Sequence, residues 1–196
     1  MRLFRTPDFR RPFIERYNGS KMLDLGCGPN KTPGAFGVDH IPFPGVDLVH
    51  DLDRFPYPFE DASWDAVRLN HVIEHLDDIP GAIREIRRIL KTGGDLWVAT
   101  PHFSDCSSYS DPTHRYHLGL ESLLFFCTPP NHWFDMEHAY VSLIGRWRDI
   151  GYEHLINRRR EKNAVPPRAH HWEERHCFQR RGREMTFILR KVPEAP

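Results

Sequence analysis

The amino-acid sequence predicts an α/β fold built on a mostly parallel sheet with helices on both faces. Three observations support this class. Short apolar segments recur between residues 21 and 100, an amphipathic helix precedes the last of them, and a glycine turn follows the first. Strands that alternate with helices are typical of parallel sheets, and such sheets bind ligands outside the carboxyl ends of their strands.

Seven strands are predicted. Five precede residue 103, and they are Lys21–Leu25, Phe36–Asp39, Val46–Asp51, Trp64–Leu69 and Asp95–Thr100. The other two are a strand that follows a helix end within Trp147–Arg160, and Glu184–Lys191. The residues at the carboxyl ends of the first five strands are therefore the first candidates for a site: Gly26–Gly28, Asp39, Asp51, Asn70, His71, Pro101 and His102.

The clearest helix lies between the fourth and fifth strands. Ile79, Ile83, Ile86 and Leu90 are spaced by 4, 3 and 4 residues, which places them on one helical face. An acidic pair before this segment and two glycines after it supply the start and stop signals of a helix. A second, short apolar helix is predicted over Glu121–Phe126.

The composition indicates one globular domain over residues 1–196. The chain is 39% hydrophobic and 28% charged, which excludes a disordered chain. Residues 20–102 form a candidate ligand-binding half, residues 103–145 an insertion rich in histidine and aromatic side chains, and residues 146–196 the C-terminal strands. No apolar run is long enough for a transmembrane helix and no signal peptide is evident, so we expect a cytoplasmic protein without membrane contacts.

The charge is balanced overall but unevenly distributed. From Arg146 onwards there are 13 basic and 7 acidic residues, whereas residues 1–145 hold 14 and 20. A basic C-terminal region is consistent with solvated loops or with an anionic small-molecule ligand. Aromatic residues do not alternate with these charges, so a nucleic-acid partner is not expected. The four cysteines form no CxxC pair, so neither a zinc ribbon nor a redox motif is indicated.

The glycine turn Gly26-Cys27-Gly28 is suited to cradling a ligand, because glycine allows the backbone to approach it closely. A dinucleotide fingerprint would need a third glycine where Lys31 stands. The acidic residue of such a fingerprint follows the glycines by about 20 positions, whereas Asp39 lies only 13 residues after Gly26. The spacing therefore argues against a nicotinamide dehydrogenase, although a carboxylate at the end of the second strand still suits ribose hydroxyls.

A series of motifs over residues 21–102 resembles the class I S-adenosylmethionine-dependent methyltransferases, and most closely the type 11 methyltransferase domain. In chain order the motifs are LDLGCG at 23–28, VD at 38–39, HDL at 50–52, FPYPFEDASWDAV at 55–67, HVIEHL at 71–76 and EIRRILKTGG at 85–94. The resemblance implies a Rossmann-like methyltransferase fold with S-adenosyl-L-methionine as its cofactor.

The resemblance also implies roles for individual residues. Asp24 would lie near the methionine amino group, Gly26 and Gly28 would pass under the cofactor, and Asp39 would bind the ribose hydroxyls. Asp51 and Leu52 would contact the adenine, and Asn70 and His71 would line the methionine side through their backbone. The sequence departs from the family between Pro29 and Ala35, where a full helix is usual, and two prolines and a glycine predict a shortened first crossover.

The segment after the fifth strand is the expected substrate wall. His102, Asp111, His114 and His117 are its candidate bases, since neutral imidazole accepts a proton near pH 7. His114 is the preferred catalytic base, with Asp111 orienting its ring and His102 as a further candidate. Glu74 and His75 are interpreted as fixing the loop before the helix.

His114 and His117 also have the spacing of a metal-binding pair. Further donors are Asp105, Cys106, His170, His171, His176 and Cys177. No spacing among them is diagnostic, so no metal ligand is assigned.

The expected function is methyl transfer from S-adenosylmethionine to an oxygen or nitrogen of a small molecule. Two alternatives stay open at this point: a cofactor-binding accessory protein without transfer activity, and a metal-assisted enzyme that uses S-adenosylmethionine. The identity of the acceptor and the oligomeric state do not follow from the sequence.

Overall fold

A computed structural model describes residues 10–124, 126–127, 147–156, 159–162, 173–175, 177 and 182–193. The elements are helix α1 (Arg10–Arg16), strands β1 (Met22–Leu25), β2 (Phe36–Asp39), β3 (Leu48–Val49) and β4 (Trp64–Asn70), a 3₁₀ turn (Ile73–His75), helix α2 (Ile79–Ile89), strand β5 (Leu90–Pro101), helices α3 (Ser107–Ser110) and α4 (Leu120–Leu124), and strands β6 (Trp147–Ile156), β7 (Arg159–Lys162) and β8 (Gly182–Lys191). None of the helices in these ranges is both long and apolar enough to cross a bilayer.

The strands form one mixed sheet in the order β3-β2-β1-β4-β5-β8-β6-β7. Strands β1 to β5 run parallel to their neighbours, and β8, β6 and β7 are added in antiparallel orientation. The α/β class and the predominantly parallel first half are confirmed. The chain passes from β1 outwards to β2 and β3 and then returns to β4 on the other side of β1. The strand order therefore reverses between β1 and β4, where sheets of this kind open space for a ligand.

The C-terminal strands differ from the prediction in number and type. The described residues contain eight strands rather than seven, because the predicted helix end and strand within Trp147–Arg160 are instead β6 and the start of β7. These two strands pair as an antiparallel hairpin, with Ile156 opposite Arg159. The helix expectation fails because the long pairing of β6 with β8 outweighs the local pattern.

Both faces of the sheet are covered by apolar side chains. Leu23, Leu25, Val67 and Leu69 point to the α2 side, where Ile83, Ile86 and Ile89 are fully buried. Met22, Ala66, Trp97 and Ala99 point to the other side, where Phe13 of α1 packs with its ring centroid 6.4 Å from that of Trp97. The alternation of side chains along each strand produces this division.

Helix α2 begins where the sequence predicts. The side chain of Asp78 accepts a hydrogen bond from the N–H of Gly81 at 2.8 Å, which caps the N-terminus. The helix ends at Ile89, and Leu90 already belongs to β5, so the glycines at 93 and 94 lie beyond the helix end rather than at it.

The crossover between β1 and β2 contains no helix, as predicted, and aspartate side chains hold it instead. Asp24 accepts from the N–H of Thr32, Asp39 from the N–H of Gly28, both at 2.8 Å, and Asp47 from the N–H of Gly37 at 2.6 Å. Asp24 and Asp39 thus satisfy backbone donors that a crossover helix would have paired internally. Gly37 lies on β2, and Asp47 reaches the crossover through Nζ of Lys31, 2.6 Å away.

A buried ion pair links this loop to the sheet. Asp24 and Arg68 stand opposite each other on β1 and β4, with Oδ1 and Nη1 2.8 Å apart and both side chains at least 90% buried. The guanidinium carbon of Arg68 lies 5.0 Å from the ring centroid of Trp97 on the next strand. The pair and the indole therefore form a row across three neighbouring strands.

Removing one member of this pair should be costly. We expect Asp24→Ala to lower the free energy of unfolding by about 3–5 kcal/mol, because Arg68 would remain buried without its partner. The exposed pair of Lys91 and Asp65, 2.6 Å apart, is the control, and Lys91→Ala should cost at most about 1 kcal/mol. Urea unfolding of the variants measures both values, and equal costs would contradict the assignment.

Candidate active site

A cleft of about 500 Å³ opens at the carboxyl ends of β1 to β4. This volume lies in the usual range for small-molecule sites. Its walls are built by Gly26, Asp39, His40, Asp51, Leu52, Asp53, His71, Val72, His75, Leu76, Thr113 and Arg115. Five of the residues expected from the sequence to bind the cofactor are in this wall: Gly26, Asp39, Asp51, Leu52 and His71.

Gly26 lies where the chain leaves β1 in a conformation that only glycine adopts easily. Its φ is +67°, and a Cβ at this position would come within 2.4 Å of Cγ2 of Val72. The N–H groups of Gly26 and Cys27 both donate to the carbonyl of Val38, at 2.8 and 3.0 Å. The turn is thereby tied to β2 and packs closely against Val72.

Asp39 and Asp51 bring two carboxylates to one wall of the cleft. Asp39 accepts from the N–H groups of Gly28 and Ile41, at 2.8 and 3.0 Å, one on each oxygen. A carboxylate has about four acceptor positions, so Asp39 can still accept from two hydroxyls. Asp51 is about half exposed and accepts from the N–H of Asp53 at 3.0 Å.

His71 lines the cleft directly after β4, whereas Asn70, the last residue of that strand, is not part of the cleft wall. His71 has a φ of +54°, which is unusual for a residue other than glycine and recurs at functional sites. Burial by itself lowers the pKa of His71, but hydrogen bonding to Glu184 and Glu74 outweighs this effect and raises the pKa to about 9. The side-chain Oδ1 of Asn70 is buried and has no hydrogen-bond partner among the described residues.

Asp24 and Gly28, two further predicted cofactor residues, lie outside the cleft wall. Both carboxylate oxygens of Asp24 are engaged in the interior, one with Arg68 and the other with Thr32. Gly28 donates its N–H to Asp39. Their place in the fold makes them supports of the glycine turn and of Asp39.

Thr113 and Arg115 also line the cleft, and they belong to a loop, residues 113–116, that docks on the 3₁₀ turn. The N–H groups of Arg115 and Tyr116 donate to the carbonyl of Glu74 at 2.9 and 3.3 Å. The guanidinium of Arg115 pairs with Asp77. This docking carries the predicted base, His114, to the buried carboxylate of Glu74.

His114 is enclosed between two carboxylates. Its Nε2 lies 4.0 Å from Oε1 of Glu74 and 3.9 Å from Oδ2 of Asp111, and its side chain is only 7% exposed. Hydrogen bonds from Thr113 keep the pKa of Asp111 below its ordinary value, so this residue is ionised at neutral pH. Asp111 therefore lies near His114, as expected, but the separation of 3.9 Å is too long for a hydrogen bond.

His102 and His117 occupy different surroundings. His102 is fully buried, with its ring nitrogens 2.8 Å from Oγ of Ser104 and 3.0 Å from Oε1 of Glu173. His117 stacks on Tyr109 and bonds Oγ of Ser108 at 3.0 Å. The further donor candidates His170, His171 and His176 lie outside the described residues.

Comparison with known proteins shows what the chain is similar to. The sequence pattern of the family described as "Methyltransferase domain" matches residues 42–98. A probable S-adenosylmethionine-dependent methyltransferase of Mycolicibacterium smegmatis is 31% identical over 121 residues, which cover 52% of this chain and 46% of that protein. These matches support the resemblance of the chain to class I S-adenosylmethionine-dependent methyltransferases.

Two further proteins resemble the chain. A 2-phytyl-1,4-naphtoquinone methyltransferase of Nostoc punctiforme is 23% identical, over 66% of this chain and 59% of that protein. The solved structure of a methyltransferase from Archaeoglobus fulgidus has the same fold, with a TM-score of 0.62 and 18% identity over 92% of this chain and 90% of the other. The chain spans between 30% and 59% of the length of the curated relatives it matches.

The cofactor of this family, S-adenosylmethionine, fits the residues of the cleft. Gly26 and Val72 both line the cleft, and a Cβ at Gly26 would displace the Val72 side chain. Asp39 has free acceptor positions for ribose hydroxyls, and Leu52 and Val72 offer apolar surface for a purine ring. Carboxylates in the wall also favour the cofactor's positive groups.

The two glycines of the turn provide a matched test of this fit. Gly26 and Gly28 both have positive φ, +67° and +54°, but only a Cβ at Gly26 meets Val72. We expect Gly28→Ala to lose roughly 1–2 kcal/mol of folding stability and Gly26→Ala to lose more, because its Cβ also meets Val72. Only Gly26→Ala, which displaces this cleft-lining side chain, should strongly weaken binding of S-adenosylhomocysteine. Calorimetric titration measures the affinity, and equal losses in the two variants would contradict the role of Gly26.

Proposed function

We propose that this methyltransferase domain transfers the methyl group of S-adenosylmethionine to an oxygen or nitrogen atom of a small-molecule acceptor. The observation that carries the proposal is the cleft itself. It presents Asp39 and Asp51 on one wall and the loop at residues 113–116 on the other, within one space of about 500 Å³. A methyl donor and a methyl acceptor can therefore bind side by side in this cleft.

The bound cofactor supplies a methyl group activated by a sulfonium centre, so the domain has to position the acceptor and exclude water. Asp39 and Asp51 would hold the ribose and adenine ends, with Leu52 packing on the ring. Asn70 and His71 would border the methionine end. This assignment places the acceptor on the side of Thr113 and Arg115, which line the opposite wall.

A small acceptor is supported by the cleft volume and by the naphthoquinone methyltransferase among the relatives. An anionic acceptor is a further proposal from the basic C-terminal region. Arg183 lies at the carboxyl edge of the sheet, on β8 and about half exposed, with Nε 3.9 Å from Oδ2 of Asp105. Arg190 is engaged with Asp95 and lies further along β8.

The proposed transfer is tested with purified protein, labelled S-adenosylmethionine and a panel of phenolic, quinol and amine acceptors, some of them anionic. We expect labelled product. Asp39→Ala should raise the dissociation constant of S-adenosylhomocysteine about 10- to 100-fold, because hydrogen bonds to a charged group contribute about 1.5–3 kcal/mol.

Asp47→Ala is the control, because Asp47 also holds the crossover but does not line the cleft. Equal losses in the two variants would show that Asp39 acts through the loop. Failure of the wild type to bind either form of the cofactor would overturn the proposal. Binding without transfer to any acceptor would favour an accessory protein.

The choice of His114 as the base stays a prediction. Its Nδ1 lies 3.0 Å from the carbonyl of Ser108 and donates to it, so the neutral ring has its lone pair on Nε2. We expect His114→Ala to retain cofactor affinity and to lower turnover by about 10²–10⁴-fold, the usual contribution of a positioned base.

His102→Ala is the comparison for His114→Ala, because buried His102 lies in the interior. We expect it to lose folding stability rather than turnover of the folded fraction. A His114→Ala enzyme that keeps turnover within about threefold of the wild type would contradict the base role. Metal analysis of both preparations shows whether a loss of activity follows a loss of metal.

A further inference from the structure

The 3₁₀ turn and the loop at residues 113–116 bring three metal-ligating side chains together. Glu74, His75 and His114 each offer one donor atom, and these atoms all lie within 4.8 Å of one another. Glu74 and His75 are neighbours in sequence, and His114 is brought to them by the hydrogen bonds from Arg115 and Tyr116 to the carbonyl of Glu74. The sequence motif containing Glu74 and His75 gives no sign of this third partner.

Glu74 is a buried carboxylate that shares its cationic neighbour, His71, with a second carboxylate, that of Glu184. Its side chain is 1% exposed, and neither oxygen accepts a hydrogen bond of good geometry among the described residues. Nδ1 of His71 lies 3.4 Å from Oε1, but His71 is also engaged with Glu184 at 2.9 Å. An ionised carboxylate in this environment needs a cation or strong donors nearby.

Both imidazoles are held in the orientation that a metal ligand requires. Nδ1 of His75 lies 3.2 Å from the carbonyl of Thr113, and Nδ1 of His114 lies 3.0 Å from the carbonyl of Ser108. Since a carbonyl only accepts, each Nδ1 donates and each Nε2 keeps its lone pair. A backbone carbonyl on the second ring nitrogen is the usual outer support of a metal-binding histidine.

The separations around His114 suit an ion better than a hydrogen bond. Nε2 lies 4.0 Å from Glu74 and 3.9 Å from Asp111, too far for either contact to be a hydrogen bond. Zinc bonds of about 2.0–2.2 Å place tetrahedral ligand atoms roughly 3.4 Å apart. Small side-chain adjustments would therefore close the set, and Asp111 can approach as a further ligand.

We propose that Glu74, His75 and His114 bind a divalent transition metal ion of the zinc type, with an open coordination position toward the cleft. Two imidazoles, one carboxylate and an open position form the donor set of catalytic zinc sites. The open position faces the acceptor side, since His75 and Thr113 line the cleft. An acceptor oxygen bound there would lose its proton more easily, and His114 would then be a ligand rather than the base.

Metal binding can be measured without methyl donor or acceptor, so the test does not depend on the proposed function. We expect chelator-treated wild-type protein to bind one equivalent of Zn²⁺ by calorimetry. Co²⁺ should give visible absorption bands without the charge-transfer bands of a thiolate ligand. A wild type that binds neither ion would overturn the proposal, as would a spectrum showing thiolate ligation.

The variants identify the ligands. Glu74→Gln and His75→Ala should each weaken Zn²⁺ binding by more than the 10–100-fold typical of losing an outer support. His117→Ala is the matched control from the neighbouring chain, because His117 bonds Ser108 and lies outside the cluster. We expect it to bind Zn²⁺ like the wild type.

Unchanged Zn²⁺ binding by His75→Ala would overturn the proposed set of ligands. A loss of Zn²⁺ binding that is seen only in His117→Ala would do the same. Binding of S-adenosylhomocysteine reports whether each variant is folded. If Glu74→Gln does not fold, His75→Ala and the wild-type Co²⁺ spectrum decide the question, since His75 is only partly buried.

Discussion

The ion pair between Asp24 and Arg68 lies where the two central strands of the sheet meet the loop that carries the glycine turn. One oxygen of Asp24 neutralises the guanidinium, and the other fixes the N–H of Thr32. Burial makes this pair expensive to break. Because the crossover has no helix to hold it, the position of the glycine turn depends on this carboxylate and on its counterparts Asp39 and Asp47.

The cleft combines a rigid wall with one assembled from distant segments. The cofactor-side wall follows the ends of adjacent parallel strands, so its residues are positioned by the hydrogen bonds of the sheet. The acceptor-side wall depends on a loop that binds the 3₁₀ turn through the carbonyl of Glu74. Glu74 therefore has two roles: its backbone holds the loop, and its side chain meets the histidines that the loop and the turn carry.

A single residue, His114, connects the two chemical interpretations of this site. With its lone pair free, its Nε2 is suited to accept a proton from the acceptor. With a metal ion between it and Glu74, the same lone pair becomes a ligand and the metal ion activates the acceptor. The two carboxylates that enclose Nε2 favour a cation at this position, which supports the ligand role.

Local sequence patterns determined much of the fold. The apolar spacing and the Asp78 cap defined α2, the strands up to β5 lay close to their predicted positions, and the prolines after Gly28 excluded a crossover helix. These features are encoded within short segments, through side-chain periodicity, capping and the φ restriction of proline. The five expected residues in the cleft wall followed from the same source, because parallel strands end at a common edge.

Tertiary structure decided the features that depend on distant segments. The pairing of Asp24 with Arg68 withdrew an expected cofactor residue from the cleft, and the pairing of β6 with β8 replaced a predicted helix end by a hairpin. His114 approaches Glu74 although the two residues are 40 positions apart in sequence. Backbone hydrogen bonds bring them together, and such bonds do not depend on which side chains the residues carry. Contacts of this kind leave no local periodicity or spacing in the sequence, so only the folded chain brings them together.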